Sequence, residues 1–324
     1  MPRTSPSAAS VAWTRTGGPR PRELQAFLTQ RGLEVTDVTR GVARGTRRLL
    51  VGDHKRSRSS YVVSVATTTE GAPKVEAEAR HLTELRQRVR PAVGDTLSSV
   101  VERVDVSGMP AIVLSAVPGM APGSSTVPRG FAAGNGAVLA WLTMLWSDTS
   151  GPAAPVDFGS AAYDALLSRF AGSPRAATTL GALQRSRSAL GERDLARTVS
   201  HGCLCPRHLF VSDGRAIGAE DWGRSRFGAD PLRDLGTWVV RGAGPGIGDV
   251  FSGRSAQGRT LRDFVGGGLA YWGLSSRLWR DVLVLALAEA AVEGLEDQDT
   301  TAMDLLTAVS DGLTRTATRG RTRR

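Results

Sequence analysis

The sequence predicts an α+β protein whose N-terminal part is rich in β-strands and whose C-terminal part is mainly helical. Before residue 118, short apolar runs are typical of strands. After residue 133, apolar residues recur with the helical period of about 3.6 residues. Between them, the sequence PGMAPGSSTVP at 118–128 breaks both patterns. We therefore expect two parts joined by a proline- and glycine-rich hinge.

The N-terminal part is predicted to contain two helices and four strands. The segment 20–32 places Leu24, Phe27 and Leu28 on one helical face and ends at Gly32. The other elements are predicted in this order: strands over 47–53 and 60–68, a helix over 74–89, and strands over 98–108 and 109–117. The charged linker between the first two strands makes that pair a hairpin.

The C-terminal part is predicted to be helical over 133–147, 161–171, 176–198, 259–272, 278–296 and 302–316. The exception is 208–222, where two short apolar strands flank an Asp-Gly turn. The uncharged run 130–147 is just long enough for a membrane span, but its Gly, Asn, Thr and Ser content favours a buried core helix. We expect no membrane anchor.

The net charge of +10 over 324 residues is concentrated near the two ends of the sequence. Nine of the 41 basic residues lie in 1–22 and 315–324, which contain no acid, and the rest of the chain holds 32 bases and 31 acids. This charge distribution predicts solvated, disordered termini. It does not predict a nucleic-acid groove, so we expect any contact with nucleic acid to be made through the basic tails. Two cysteines one residue apart, and no apolar leader run in the first fifteen residues, predict a cytoplasmic protein.

The most informative segment is HGCLCPRHLFVSDGRAIGAEDWGRSRFGADPLRDLGTW at 201–238. It resembles the catalytic segment of the aminoglycoside phosphotransferase-like, kinase-like family, whose pattern is H-G-D-x-x-x-x-N, a hairpin, D-W/F-G and D-P-x-x-D-L. The residues that match are His201-Gly202, Asp221-Trp222-Gly223, Asp230-Pro231 and Asp234-Leu235. Their order, their spacing and the intervening hairpin all agree with the family.

The resemblance implies a two-lobed fold with a small β-rich N-lobe and a larger helical C-lobe. The implied divisions are a disordered basic lead at 1–22, the N-lobe at 23–118, the C-lobe at 119–314 and a basic tail at 315–324. The C-lobe would carry a degenerate catalytic loop at 201–208 and the D-W-G motif at 221–223.

The resemblance also implies where a nucleotide would bind. Gly41 and Gly45 stand where the family places a phosphate-covering turn. A pair of glycines that leads into an ordinary β-hairpin would have the same sequence pattern. Glu78 has the helix position of the ion-pairing glutamate. Ser115 and Val117, in AIVLSAVPG, lie in the segment that resembles the strand bordering the adenine.

Three positions that phosphoryl transfer requires are occupied by other residue types. The reaction needs neutralised phosphate charge, bridging metal ions and a carboxylate that orients the attacking hydroxyl. In this sequence the base position is Cys203, the second metal-ligand position is His208, and the strand-lysine position is Ser64. Losing a general base alone costs about a hundred- to ten-thousand-fold in rate. Lys74 is the one lysine that could replace the missing one, although a solvated surface position is the simpler interpretation.

Three further residues of the motif have open roles. Asp221 keeps the family's metal-side carboxylate, which is compatible with one Mg²⁺ ion holding a nucleotide and equally compatible with a structural cap. His201, at the family's catalytic-loop histidine, is more readily a brace of the loop than a catalytic residue. The resemblance implies that Asp234 accepts backbone donors of the 201–208 loop.

His201, Cys203, Cys205 and His208 form a second constellation, because four soft-metal ligands lie within eight residues. Their spacing is not a standard zinc arrangement, and small cysteines packed in a degenerate loop are the simpler interpretation. A nucleophilic cysteine paired with His201 is a weaker alternative.

Two functions follow from these observations. The first is a catalytically impaired kinase-like protein that acts as a binding or regulatory module with a small-molecule or protein partner. ATP and Mg²⁺ are its expected cofactors if the nucleotide site is kept. The alternative is an active phosphotransferase that moves the ATP γ-phosphoryl to a hydroxyl of a sugar-like metabolite through a rearranged site. Because residues 235–280 contain only Asp249 and Asp263 as acids, a polycationic acceptor is disfavoured.

Overall fold

The computed structural model describes residues 21–39, 45–53, 59–117, 134–174, 176–212, 215–296 and 301–321. The chain divides into two compact units. The first comprises the residues up to Thr83 together with Ser99–Ala116, and the second comprises Glu84–Ser98 and the chain from Val117 onward. Residues 84–98, placed in the first domain by the sequence analysis, thus group with the second unit. Among the described residues, no helix combines the length and the apolar content needed to cross a bilayer.

The first unit is built on a five-stranded antiparallel sheet. Its strands are β1 (Leu33–Thr39), β2 (Thr46–Asp53), β3 (Ser59–Ala66), β4 (Val100–Val106) and β5 (Met109–Ser115), in the spatial order β1-β2-β3-β5-β4. Two helices pack beside the sheet, α1 (Pro21–Gln30) and α2 (Ala72–Arg88). The four predicted strands and both predicted helices of this part are confirmed, and β1 is a strand that the sequence analysis missed.

The two faces of this sheet contact different helices. On one face, Val51 and Val63 join Leu24 and Leu28 of α1 in one buried cluster. Because side chains alternate along a strand, Ser64, the neighbour of Val63, points to the opposite face. That opposite face is the one that α2 contacts.

The second unit is mainly helical. Its helices are α3 (Pro91–Gly94), α4 (Asn135–Thr149), α5 (Ser160–Phe170), α6 (Ala177–Gly191), α7 (Leu232–Ala243), α8 (Ile247–Ser252), α9 (Ala256–Tyr271), α10 (Trp279–Glu296) and α11 (Thr301–Arg321). The central helix is α10, which packs against α5, α6, α7 and α11. Residues 282–287 of α10 are all buried, as expected for a helix that is apolar around its circumference. Trp141 and Trp146 of α4 are also fully buried, which confirms the predicted core helix.

Three antiparallel two-stranded ribbons position the loops of the candidate site. They are β6 (Ala153–Pro155) with β7 (Asp194–Ala196), β8 (Thr198–Ser200) with β11 (Arg226–Ala229), and β9 (Leu209–Ser212) with β10 (Arg215–Ala219). The loop 201–208 connects β8 to β9, and the segment 220–225 connects β10 to β11. Both catalytic motifs of the sequence analysis therefore begin and end on paired strands.

The predicted α+β class is confirmed, and two local predictions are wrong. The helix predicted over 176–198 ends at Gly191, because residues 194–196 and 198–200 pair as strands. The basic tail, predicted to be disordered, is helical to Arg321, because α11 propagates from turns that bury Leu306 and Val309. α7 is a helix that was not predicted. The basic lead up to residue 20 lies outside the described residues.

Candidate functional site

A buried carboxylate holds the start of the 201–208 loop. Asp234, in the first turn of α7, is fully buried and accepts hydrogen bonds from the Ser200 hydroxyl at 3.0 Å, the His201 amide at 2.8 Å and the Gly202 amide at 3.1 Å. Burial raises the pKa of Asp234, and the three hydrogen bonds oppose that rise. The expectation that Asp234 accepts backbone donors of this loop is confirmed.

Gly202 brings this loop against the segment that contains Asp221. Its φ is 77°, a left-handed conformation that favours glycine. A Cβ at this position would lie 2.2 Å from the carbonyl oxygen of Arg224. Glycine therefore allows the two predicted motifs to lie side by side.

His201 is fully buried and engaged through both ring nitrogens. The Cys203 amide donates to Nδ1 at 3.3 Å, so the ring carries its proton on Nε2, which donates to the Glu220 carbonyl oxygen at 2.8 Å. The ring also lies 4.7 Å from that of Trp222. These contacts favour the interpretation of His201 as a brace between the loop and β10, and a catalytic role for His201 stays a prediction.

His208 lies between the loop and Asp221. Its Nδ1 is 3.1 Å from the carbonyl oxygen of Cys203, and its Nε2 is 3.4 Å from Oδ2 of Asp221. Both neighbours are acceptors, so the ring donates from both nitrogens only when it is protonated. His208 and Asp221 are 7% and 9% exposed, which shields their contact from solvent. The geometry is that of an imidazolium–carboxylate pair.

The two cysteines of the loop support the same protonation state. Burial lowers the pKa of His208, but hydrogen bonds to the Cys203 and Cys205 side chains and the charges of Cys205 and Asp221 outweigh it and raise that pKa well above its ordinary value. Burial raises the pKa of the Cys205 thiol, whereas the contact with His208 lowers it, and the net direction is downward. We therefore expect His208 to be positively charged at neutral pH.

Asp221 sits in a strained conformation on a rigid support. Its φ and ψ are 67° and 59°, the left-handed region that non-glycine residues rarely adopt. The next residue, Trp222, is fully buried and donates its indole N–H to the Ala219 carbonyl at 2.9 Å. Strain of this kind is typical of functional sites.

The residues present do not fit the metal pair of a kinase-like site. Mg²⁺ prefers oxygen ligands, but the second ligand position is the His208 ring, and a protonated imidazole has no lone pair to offer. Within the described part of the chain, no three His, Cys, Asp or Glu side chains are placed to hold a metal ion together. The zinc alternative also lacks support, because both nitrogens of His201 are engaged elsewhere. Metal binding by Asp221 and His208 stays a prediction that their mutual contact disfavours.

In the first unit, the glutamate of α2 is paired with an arginine of β2. Glu78 accepts a hydrogen bond from Nη2 of Arg48 at 2.7 Å, and the two residues are 3% and 6% exposed. Arg48 stands directly across from Ser64 in the β2–β3 register. Glu78 and the missing lysine at Ser64 were predicted from the sequence, whereas Arg48 was not. Arg48 directly follows Arg47 and directly precedes the apolar run at 49–51, so the strand pattern carried no signal that singled it out.

The other predicted nucleotide-side residues are placed as follows. Gly45 has a φ of 80°, and its carbonyl accepts the Thr67 amide at 2.7 Å, whereas Gly41 lies outside the described residues. The Ser115 hydroxyl, at the end of β5, accepts the Ser99 amide at 2.8 Å. Val117 is buried and belongs to the second unit. Nucleotide contacts by these residues stay predictions.

In the second unit, a group of charged side chains that we call the charged wall lies beside Gly202. Its ion pairs join Arg241 and Arg224 to Glu293, the latter at 3.1 Å, and Arg233 to Glu289 at 2.6 Å. Arg226 lies near enough for the charge of Arg233 to lower its pKa. In this wall, the two glutamates face four arginines.

Comparison with known proteins gives one family match. The sequence matches the model of the phosphotransferase enzyme family over residues 39–266. No curated protein sequence matches the chain.

Several solved structures share the fold at low sequence identity. Aminoglycoside phosphotransferase APH(4)-Ia is 13% identical, with a TM-score of 0.62 over 91% of this chain and 99% of that one. Aminoglycoside 2'-phosphotransferase-IIIa in its GDP complex is 16% identical, with a TM-score of 0.61 over 90% and 97%. Macrolide 2'-phosphotransferase MphH from Brachybacterium faecium is 17% identical, with a TM-score of 0.57 over 89% and 98%. These likenesses confirm the predicted kinase-like, aminoglycoside phosphotransferase-type fold.

Proposed function

Since the chain belongs to the phosphotransferase enzyme family, we propose that it is a catalytically impaired, kinase-like member that acts as a binding or regulatory module and keeps a nucleotide site. The observation that carries the proposal is the contact between His208 and Asp221, with Nε2 3.4 Å from Oδ2. A protonated imidazole at this distance supplies positive charge to the carboxylate that a metal-bound nucleotide would otherwise use.

The base position supports the same conclusion. Cys203 is 1% exposed, and its backbone carbonyl accepts a hydrogen bond from the His208 ring. A general base must come within hydrogen-bonding reach of the hydroxyl proton that it removes. A buried thiol in a braced loop meets this requirement poorly, so we expect γ-phosphoryl transfer to be very slow or absent.

Retention of a nucleotide is supported by the first unit and by the solved relatives. Glu78 keeps a buried cation partner, which kinase-like proteins require on the phosphate side. Solved structures of the relatives contain AMP-PNP or GDP. Because the residues of the second unit do not fit a metal pair, we expect ATP to bind equally well with and without Mg²⁺.

The charged wall beside Gly202 supports a ligand other than a polycation. The solved relatives include a complex with hygromycin B, but the glutamates of the wall are already paired with arginines. A wall with more arginines than glutamates repels cationic ligands and favours neutral or anionic ones. We therefore expect no phosphorylation of aminoglycosides by this chain.

The experiment is thermal unfolding with and without ATP, in EDTA and in Mg²⁺, together with an assay of γ-phosphoryl turnover. ATP at a hundred times its dissociation constant should add about 2.7 kcal/mol to the stability of the native state. The wild type is expected to show the same upward shift in both buffers and no turnover. His208→Asn, which removes the cation from Asp221, should make the shift larger in Mg²⁺ than in EDTA, and His81→Asn on α2 is the matched control that should behave as the wild type does.

Two outcomes would overturn the proposal. A Mg²⁺-dependent shift with turnover in the wild type, both lost in Asp221→Ala, would establish the alternative of an active phosphotransferase with a rearranged site. No shift with ATP in either buffer would exclude the nucleotide site.

A further inference from the structure

We propose that Arg48 on β2 replaces the missing lysine of β3 as the residue that binds the phosphates of a nucleoside polyphosphate. The inference rests on the proposed nucleotide site and names the positive charge within it. It assigns a binding role to a residue that lies sixteen positions before Ser64 in the sequence.

The strand register places Arg48 beside the vacated position. β2 and β3 are antiparallel, and Arg48 pairs with Ser64 while Leu49 pairs with Val63. Directly opposed residues of an antiparallel pair project from the same face, with Cβ atoms about 4.5–5.5 Å apart. The side chain of Arg48 therefore begins one strand away from the position at which a lysine side chain at residue 64 would begin. Ser64 is small, which leaves space on that face for the longer side chain.

The ion pair with Glu78 gives Arg48, in the free protein, the electrostatic role that the strand lysine has in the family. Its Nη2 donates to Oε1 of Glu78 at 2.7 Å, and both side chains are almost completely buried. In kinase-like proteins the cation that this helix glutamate holds is the one that engages the phosphates. A guanidinium has five N–H donors in a planar fork, so it can bind a carboxylate on one edge and a phosphate on another.

Stability alone is a weak reason for this pair to exist. Apolar residues surround it on the same face of the sheet, where Val62 and Ile112 are 1% and 2% exposed. Replacing a buried ion pair by well-packed apolar side chains is often neutral or stabilising. A buried arginine–glutamate pair at the lysine's place is better explained by a ligand that needs the charge.

The start of β2 also fits a phosphate-binding role. Gly45, at the predicted phosphate-covering turn, stands three residues before Arg48, and its carbonyl accepts the amide of Thr67, just after β3. This bond fixes Gly45 relative to the β2–β3 pair. Gly45 and Arg48 are therefore held on the same pair of strands.

The test compares the affinities of ATP and adenosine by calorimetry, because only ATP carries phosphates. The variant is Arg48→Met with Glu78→Gln, which removes both charges and leaves no lone buried carboxylate. We expect ATP affinity to fall about 10- to 100-fold, the range for one charge-assisted hydrogen bond, and adenosine affinity to stay unchanged. Arg47→Met removes the same charge from the opposite face of β2 and should keep the wild-type ratio of the two affinities.

A rescue variant makes the assignment specific. Ser64→Lys with Arg48→Met puts a cation back at the family's position while Glu78 remains, and it should recover most of the ATP affinity. If the charge-free variant keeps the wild-type ratio of ATP to adenosine affinity, Arg48 has only a structural role and the inference is overturned. If the wild type binds neither ATP nor adenosine, the proposed nucleotide site itself fails, and this inference fails with it.

Discussion

Asp234→Asn tests whether one buried carboxylate organises the candidate site. Asparagine keeps the shape of the side chain but turns one oxygen into an NH₂ donor. That donor then faces either the His201 amide or the Ser200 hydroxyl and Gly202 amide, all of which are donors to Asp234. An unsatisfied buried donor costs about 1–3 kcal/mol. Loss of the charge adds no further cost, because burial already disfavours the ionised form of Asp234 and raises its pKa. We expect the free energy of unfolding to fall by about 1–3 kcal/mol.

The assay is chemical denaturation followed by tryptophan fluorescence. Trp238 is fully buried in the same helix as Asp234 and reports on its surroundings. Asp263→Asn changes an exposed carboxylate in α9 and should alter stability by no more than about 0.5 kcal/mol. A loss for Asp234→Asn as small as that of this control would refute the reasoning, because the three donors would then not depend on the carboxylate.

The same variant gives a pH dependence of known sign. The pKa of Asp234 is raised in the folded protein, mainly by burial. A carboxyl group whose folded pKa exceeds its unfolded value near 3.9 binds a proton more readily when folded, so its contribution to stability grows as pH falls through the folded pKa. The stability gap between the wild type and Asp234→Asn should therefore widen as the pH is lowered from neutral toward the unfolded pKa. A gap that narrows over this range would contradict the raised pKa.

Three further predictions concern stability and access. Arg48→Met alone leaves a buried carboxylate without its cation and should lower the free energy of unfolding by about 3–5 kcal/mol. Adding Glu78→Gln should recover most of that loss. A double-mutant cycle that shows no coupling between the two positions would contradict the ion pair. Gly45→Ala should lower stability by about 1–3 kcal/mol in thermal unfolding, because φ is 80° and a Cβ would lie 2.3 Å from a threonine hydroxyl. Cys203 and Cys205, 1% and 7% exposed, should react with a thiol reagent far more slowly in the native protein than in denaturant, and equal rates would mean that the loop opens freely.

The order and type of most elements follow from the apolar pattern of the sequence. Strand runs before residue 118 and helical periods after residue 133 were sufficient, because the period of apolar residues is set by neighbours along the chain. The apolar pattern gave the wrong secondary structure where strand pairing in the folded chain decided it. The helix predicted over 176–198 includes residues 194–198, but residues 194–196 pair with β6 and residues 198–200 pair with β11, so both form strands instead. α7 was missed, although its first turn carries the motif residue Asp234.

The sequence also determined which residue types occupy the motif, but not how they meet. It identified Cys203, His208 and Asp221 as candidate residues and Asp234 as the acceptor of the loop. It did not reveal that His208 faces Asp221, because that contact depends on how the β9–β10 hairpin folds the chain back over thirteen residues.

The partner of Glu78 was likewise decided by tertiary structure. Arg48 is thirty residues from Glu78 in the chain, and the strand register and the packing of α2 on the sheet bring the two together. A one-residue slip of that register would turn every side chain of β2 to the other face and separate the pair. Register and packing are cooperative properties of the whole unit. They explain why the residue types of the site were readable from the sequence while its ion pairs were not.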